Sequence, residues 1–143
     1  MTSVRRTVEL AHPQEEVFDF IADLRNELLW HPEVESVEQT SDGPVGIGTT
    51  FAAKYRRIGP VTVTIEEYQR PWHLVFRVTG RTTAVYEHRL SALGGETTVD
   101  TVATTRLRGL AWLFYPLLRG RIARQFRQRG QLLAKGLAAA RHP

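Results

Sequence analysis

The sequence predicts an α+β fold: a curved antiparallel sheet of about seven strands gripping a long C-terminal helix, with two short helices after the first strand. Three observations carry this. Apolar residues alternate with polar ones through most of the chain between Glu33 and Leu107, and the breaks between the alternating runs are too short for anything but antiparallel neighbours. A helical apolar spacing fills the stretch between the first alternating run and Pro32. A second, longer helical pattern closes the chain.

Taking the elements in order, Val4, Val8 and Leu10 alternate with Ser3, Arg5, Thr7 and Glu9, a half-buried strand that carries Arg6 on its apolar face. His12-Pro13 ends it. Pro13 suits a helix start, Glu15 and Glu16 complement the dipole there, and Val17, Phe18, Ile21, Ala22 and Leu24 share a face. "RNELLW" adds a second helical turn or two, stopped by Pro32, because the residue before a proline is pushed out of the helical region. Trp30 is expected to plug the space between this short helix and the sheet. His31 falls between two structural residues, near the cavity entrance and off every inward strand face.

"VESVE" then opens a series of strands. The inward sets that follow are Phe51, Ala53 and Tyr55; Val61, Val63 and Ile65; Leu74, Phe76 and Val78; Tyr86, His88 and Leu90; and Val99, Ala103 and Leu107. Between them lie the glycine-rich "SDGPVGIG", the tight "IGP", "QRPW", "TGRT" and the hairpin "LGGE". Arg6, Tyr55, Glu67, Thr101 and Thr105 also fall on inward parity. The helix from about Gly109 to Ala140 presents Ile122, Phe126, Leu133 and Leu137 as one stripe, with Arg121, Arg124, Arg127 and Lys135 away from it. Pro116 predicts a kink or fresh start. Gly120, Gly130 and Gly136 each cost about 1 kcal/mol in a helix interior, which points to close approach to the sheet or to space left open.

Composition excludes much. The 143 residues make a single domain, 1–143, with room for one real core. With no cysteine there is no disulfide framework, zinc ribbon or thiol nucleophile. The most apolar run, Leu110 to Leu118, falls far short of the roughly 20 residues that span a bilayer. "MTSVRRTVEL" has no apolar region behind its arginines, so the expected location is cytoplasmic. Residues 101–143 hold nine basic and no acidic residues, against ten basic and fifteen acidic before them. An acidic body packing on a basic, amphipathic helix accounts for that asymmetry. Peripheral contact of the arginine-rich helix with an anionic membrane is the lesser reading, and no motif supports nucleic-acid binding.

The histidines, His12, His31, His73, His88 and His142, show no metal-ligand spacing, so no metal is expected. Gly46-Ile47-Gly48 precedes a strand rather than a helix, so it reads as a turn requiring positive φ; no cofactor is expected. Glu66 and Glu67 are adjacent in a strand and Asp100 faces outward, which leaves no carboxylate pair for acid–base work. His88 shares parity with Tyr86 and Leu90. An enclosed imidazole there can move protons, or it can be a core histidine bonded to a carbonyl or a tyrosine. A single helix over a curved sheet leaves a wedge-shaped gap, and such gaps are apolar pockets with a few placed polar groups.

The opening strand leading into "HPQEEVFDFIADLRNELLWHPEVESVE", then "GPVGIGTTF", "EEYQRPWHLVFRV", "ALGGETTV" and the closing "PLLRGRIARQ" together resemble the START-like helix-grip superfamily (SRPBCC), and within it the polyketide cyclase/dehydrase and lipid-transport group. The resemblance implies a shared cavity and no transferable catalytic motif. The expected function is binding of a small hydrophobic ligand, a lipid, polyketide or prenylated ring, between sheet and final helix by a monomer or homodimer. The residues expected to face it are Trp30, Phe51, Tyr55, Phe76, Tyr86, His88, Thr101, Arg119 and Phe126. The alternative is a cyclase or dehydratase in which His88 and Tyr86 transfer protons.

Overall fold

A computed structural model describes residues 2–106 and 130–137. Strand β1 (Thr2–Leu10) leads into α1 (Gln14–Ala22) and a 3-10 segment, η1 (Leu24–Leu29). The six remaining strands follow in a meander: β2 (Val34–Gln39), β3 (Thr50–Tyr55), β4 (Gly59–Gln69), β5 (His73–Thr79), β6 (Thr83–Leu93) and β7 (Glu96–Arg106). A helical segment at 130–137, α2, packs back onto them. The strands form one sheet in the order β1-β7-β6-β5-β4-β3-β2, every neighbouring pair antiparallel. β1 and β2 are therefore the two edges, and α1 with η1 carries the chain from one to the other.

Local chemistry sets each joint. Pro13 caps α1 in an extended conformation, and Glu15 and Glu16 lie in its first turn. Asp23 ends α1 and starts η1, its side chain accepting from the Arg25 N–H at 3.1 Å. Gly94 and Gly95 both have positive φ, at 61° and 83°, which the β6–β7 turn requires. In the "GIG" turn Gly48 has φ 82°, whereas Gly46 does not take a positive value.

The core between the helical layer and the sheet is built from side chains that lose almost all contact with water. Val17 and Phe18 of α1 meet Phe51, Ile65, Leu74 and Val99 of the sheet, with Leu133 and Leu137 of α2. The Phe18 ring stands edge-on to Tyr68, centroids 5.1 Å apart. Gln14 Nε2 donates to the carbonyls of Pro71 and Leu90 at 3.0 and 3.1 Å, fixing the first turn of α1 over the β4–β5 connection.

α2 runs close to the rest of the fold at its two glycines. A methyl group on Gly136 would stand 2.4 Å from Trp30 Cβ, and one on Gly130 would stand 2.6 Å from Val8 Cγ2 and 3.0 Å from Arg6 Cδ. The glycines thus mark close approach. Trp30 packs against the core and lies against α2.

One inward assignment is overturned. Ile65 pairs with Phe76, but Glu67, not Glu66, pairs with Val75, so a bulge at Glu66 shifts the side-chain alternation by one. Tyr68 turns toward the core and Glu67 is exposed. Leu107, the start of the long helix, Pro116, Gly120, the stripe residues Ile122 and Phe126, and Arg119, Arg121, Arg124 and Arg127 all lie outside the described residues, as does His142.

Candidate functional site

A cavity of about 230 Å³ opens between α1, η1, the inner face of the sheet and α2. Its walls are mostly hydrocarbon and aromatic: Phe20, Ile21 and Leu24 from the helical layer, Val63, Phe76 and Val78 from the sheet, and Leu133 from α2. Polar side chains gather at two places on this lining, and the strand order explains why they are separate.

The first lies under β1, β7 and β6. Arg6 is opposite Thr101, and Thr101 is opposite His88, so three polar side chains stand in one row on the inner face of adjacent strands. All three are buried. His88 Nδ1 and Thr101 Oγ1 are hydrogen-bonded at 2.8 Å, and the imidazole meets the Phe76 ring edge-on at 5.7 Å. Burial, with the Arg6 cation as a lesser contribution, pushes the His88 pKa down to about 3. His88 is consequently a neutral hydrogen-bonding group at physiological pH. Arg6, Tyr86 and His88 line the cavity, whereas Thr101 sits behind His88 and orients it.

The second polar group belongs to η1 and the end of β3. Tyr55 Oη donates to Glu27, lying 2.5 Å from Oε1 and 3.0 Å from Oε2. His31 follows Trp30, the C-cap of η1, and its N–H donates to the Glu27 carbonyl at 2.8 Å. Its ring sits between Trp30 and Tyr55, at centroid distances of 5.4 and 5.2 Å. The Glu33 N–H donates to His31 Nδ1 at 3.2 Å, so the neutral ring carries its proton on Nε2. Glu33 is held in turn by Arg57 at 3.2 Å. On the same rim Arg25 grips Asp23 through two hydrogen bonds of 2.8 and 2.7 Å, which keeps the Asp23 carboxyl below the usual carboxylate range.

Of the residues expected from the sequence to face a ligand, Trp30, Tyr55, Phe76, Tyr86 and His88 line the cavity. Phe51 is fully buried in the core rather than on the cavity wall, and Thr101 reaches it only through His88. Arg119 and Phe126 lie outside the described residues. His31, set aside in the sequence as off every inward strand face, lines the cavity because it lies just past the end of η1 rather than on a strand. Glu27 was missed altogether. A 3-10 helix has three residues per turn, so Leu24, Glu27 and Trp30 are stacked on one face, and all three line the cavity. That threefold spacing was the available signal. Among the described residues no group of three or more His, Cys, Asp or Glu is placed to hold a metal, and no helix is long and apolar enough to cross a membrane.

The fold recurs in solved structures. A protein of Thermus thermophilus is 23% identical, with a TM-score of 0.71 over 95% of this chain and 94% of that one. A START superfamily protein from Mycobacterium smegmatis is 15% identical, with a TM-score of 0.72 over 96% and 95% of the two chains. DynU16, a protein of the dynemicin biosynthetic locus, is 15% identical and scores 0.69 over 96% of this chain and 48% of its own length. No curated protein matches the sequence. Residues 1–138 match the family model for polyketide cyclase / dehydrase and lipid transport, and with the helix-grip cavity already described, the chain belongs to that family.

Proposed function

We propose that the protein binds one small, largely apolar molecule in the cavity between sheet and C-terminal helix. The observation that carries this reading is the cavity itself: about 230 Å³ walled by aromatic and aliphatic side chains, with polar groups confined to two clusters. That volume lies just under the usual range of roughly 300–1,000 Å³ for drug-sized ligands, which points to a molecule of about ten heavy atoms, the size of two fused rings or a short acyl chain. Removing that much hydrocarbon from water supplies the affinity, and the polar clusters supply orientation. A fragment of a lipid, a polyketide intermediate or a prenylated ring has this character.

Two features weigh against proton transfer by His88 in the cyclase or dehydratase reading. A base whose pKa is about 3 is too weak to take a proton from carbon or oxygen near neutrality, and a neutral imidazole is a poor acid. His88 fits better as a fixed hydrogen-bonding partner for a polar group of the ligand.

The test is binding of a neutral, environment-sensitive fluorophore of that size, 2-naphthol, to the purified chain. Saturable fluorescence enhancement is expected, and it is expected to vanish when Val78→Trp fills the cavity without unfolding the protein. Enhancement unaffected by Val78→Trp would place the probe elsewhere and overturn the reading.

A further inference from the structure

We infer that His88 presents its Nε2–H to the cavity as a fixed hydrogen-bond donor, and that the ligand carries a carbonyl oxygen that accepts from it. This rests on the cavity-binding reading above and adds the chemistry of one group on the molecule bound. His88 is only 6% exposed, and it lines the cavity. Its Nδ1 is engaged by Thr101 Oγ1 at 2.8 Å. Nε2 has no hydrogen-bond partner among the described residues, and it is not walled in, so the surface the ring keeps faces the cavity.

Thr101 decides which ring nitrogen carries the proton. Its side chain is fully buried, and its hydroxyl bonds to nothing but His88 among the described residues. If Nδ1 held the proton, it would donate to Oγ1 and leave the hydroxyl proton buried with no acceptor, which is the costly arrangement for a polar group. With the hydroxyl donating to Nδ1, that proton is satisfied and the single proton of the neutral ring sits on Nε2. Burial keeps the ring neutral at physiological pH, with its pKa at about 3. Phe76 meets the ring edge-on, and Arg6 follows Thr101 in the same inward row. The Arg6 cation acts on the imidazole, so the field there favours the negative end of a dipole. A carbonyl oxygen accepts and brings no proton of its own. A hydroxyl at the same point would bring a proton for which neither Arg6 nor Phe76 offers a lone pair. A bare hydrocarbon would strip water from Nε2–H without replacing it.

The first measurement reads the nitrogen resonances of the isotope-labelled His88 ring in the native chain near neutrality. A protonated Nε2 and a bare Nδ1 are expected; the reverse assignment overturns the donor site. The second measurement compares 1-tetralone with tetralin, which differ by a carbonyl in place of one methylene, on the native chain and on His88→Leu. Affinities are read by displacement of bound 2-naphthol, and circular dichroism confirms that the variant is folded. The ratio of 1-tetralone affinity to tetralin affinity is expected to fall by about fivefold in His88→Leu, the worth of one hydrogen bond. In the native chain the Nε2–H proton resonance is expected to move downfield when 1-tetralone binds and to stay in place with tetralin, a readout that stands even where His88→Leu fails to fold. An unchanged affinity ratio, or an Nε2–H resonance that does not tell the two probes apart, overturns the donor site and leaves the cavity reading standing. Failure of 2-naphthol, 1-tetralone and tetralin alike to bind the native chain overturns the cavity reading and the donor site with it.

Discussion

Acidification from pH 7 to pH 5 is expected to cost the protein about 2 kcal/mol of stability through His88 alone. In the unfolded chain the imidazole has its ordinary pKa near 6.5; in the fold it is lowered to about 3. Below pH 6.5 the unfolded state takes up a proton that the folded state refuses, so stability falls as the pH drops from 6.5 towards 3 and is fully present above 6.5. Each pH unit in that window is worth about 1.4 kcal/mol, giving about 2 kcal/mol by pH 5 and a limit of about 5 kcal/mol once the folded group protonates. The cause is geometric: the ring is enclosed by Phe76, bonded to Thr101 and faces the Arg6 cation. The assay is urea unfolding at pH 7 and pH 5 for the native chain and His88→Gln. Asp23 and Glu87, held low by Arg25 and His73 respectively, lose their contributions mostly below pH 5, outside the range compared. Their residual effect cancels in the comparison. An identical loss in His88→Gln, or a nuclear magnetic resonance titration placing His88 near 6.5, would refute the reasoning.

The packing makes three further predictions. Gly136→Ala should lower stability in urea unfolding, because the new methyl stands 2.4 Å from Trp30 Cβ; overpacking costs about 1–3 kcal/mol against about 1 kcal/mol of improved helix propensity. A stabilised variant would mean that α2 does not lie against Trp30. Thr101→Val should cost about 1–3 kcal/mol at pH 7, the range for leaving a buried polar atom such as His88 Nδ1 without its partner. Phe18→Ala, which removes a fully buried ring packed on Tyr68, should cost about 3–5 kcal/mol by the same measurement.

The strands were legible because their inner and outer faces meet different solvents, and period-two alternation records that directly. Phe51, Val63, Leu74, Leu90 and Val99 all fall where the pattern puts them. The pattern failed at Glu67, since a bulge adds a residue without any mark in composition, and parity counted across it is reversed. Gly130 and Gly136 signalled close approach through their poor helix propensity, but which residues approached was a tertiary fact: Val8 and Arg6 for one, Trp30 for the other. The site was half legible. Tyr86 and His88 follow from strand parity, and Arg6 was seen to face inward for the same reason. Glu27 and His31 were hidden because they enter the cavity from a 3-10 turn and its exit, where neither the 3.6-residue nor the 2-residue period applies. Phe51 illustrates the converse: inward parity separates core from solvent, not cavity wall from core.

The central claim is that the space between sheet and α2 holds a ligand, and chemical-shift mapping of the isotope-labelled chain titrated with 2-naphthol tests it most directly. Saturable shifts are expected at Trp30, Tyr55, Phe76, Val78, Tyr86 and Leu133, which line the cavity. Shifts confined to the open depression over Ala52, Lys54 and Thr62 at the β2–β4 edge, or no saturable shifts at all, would contradict the account.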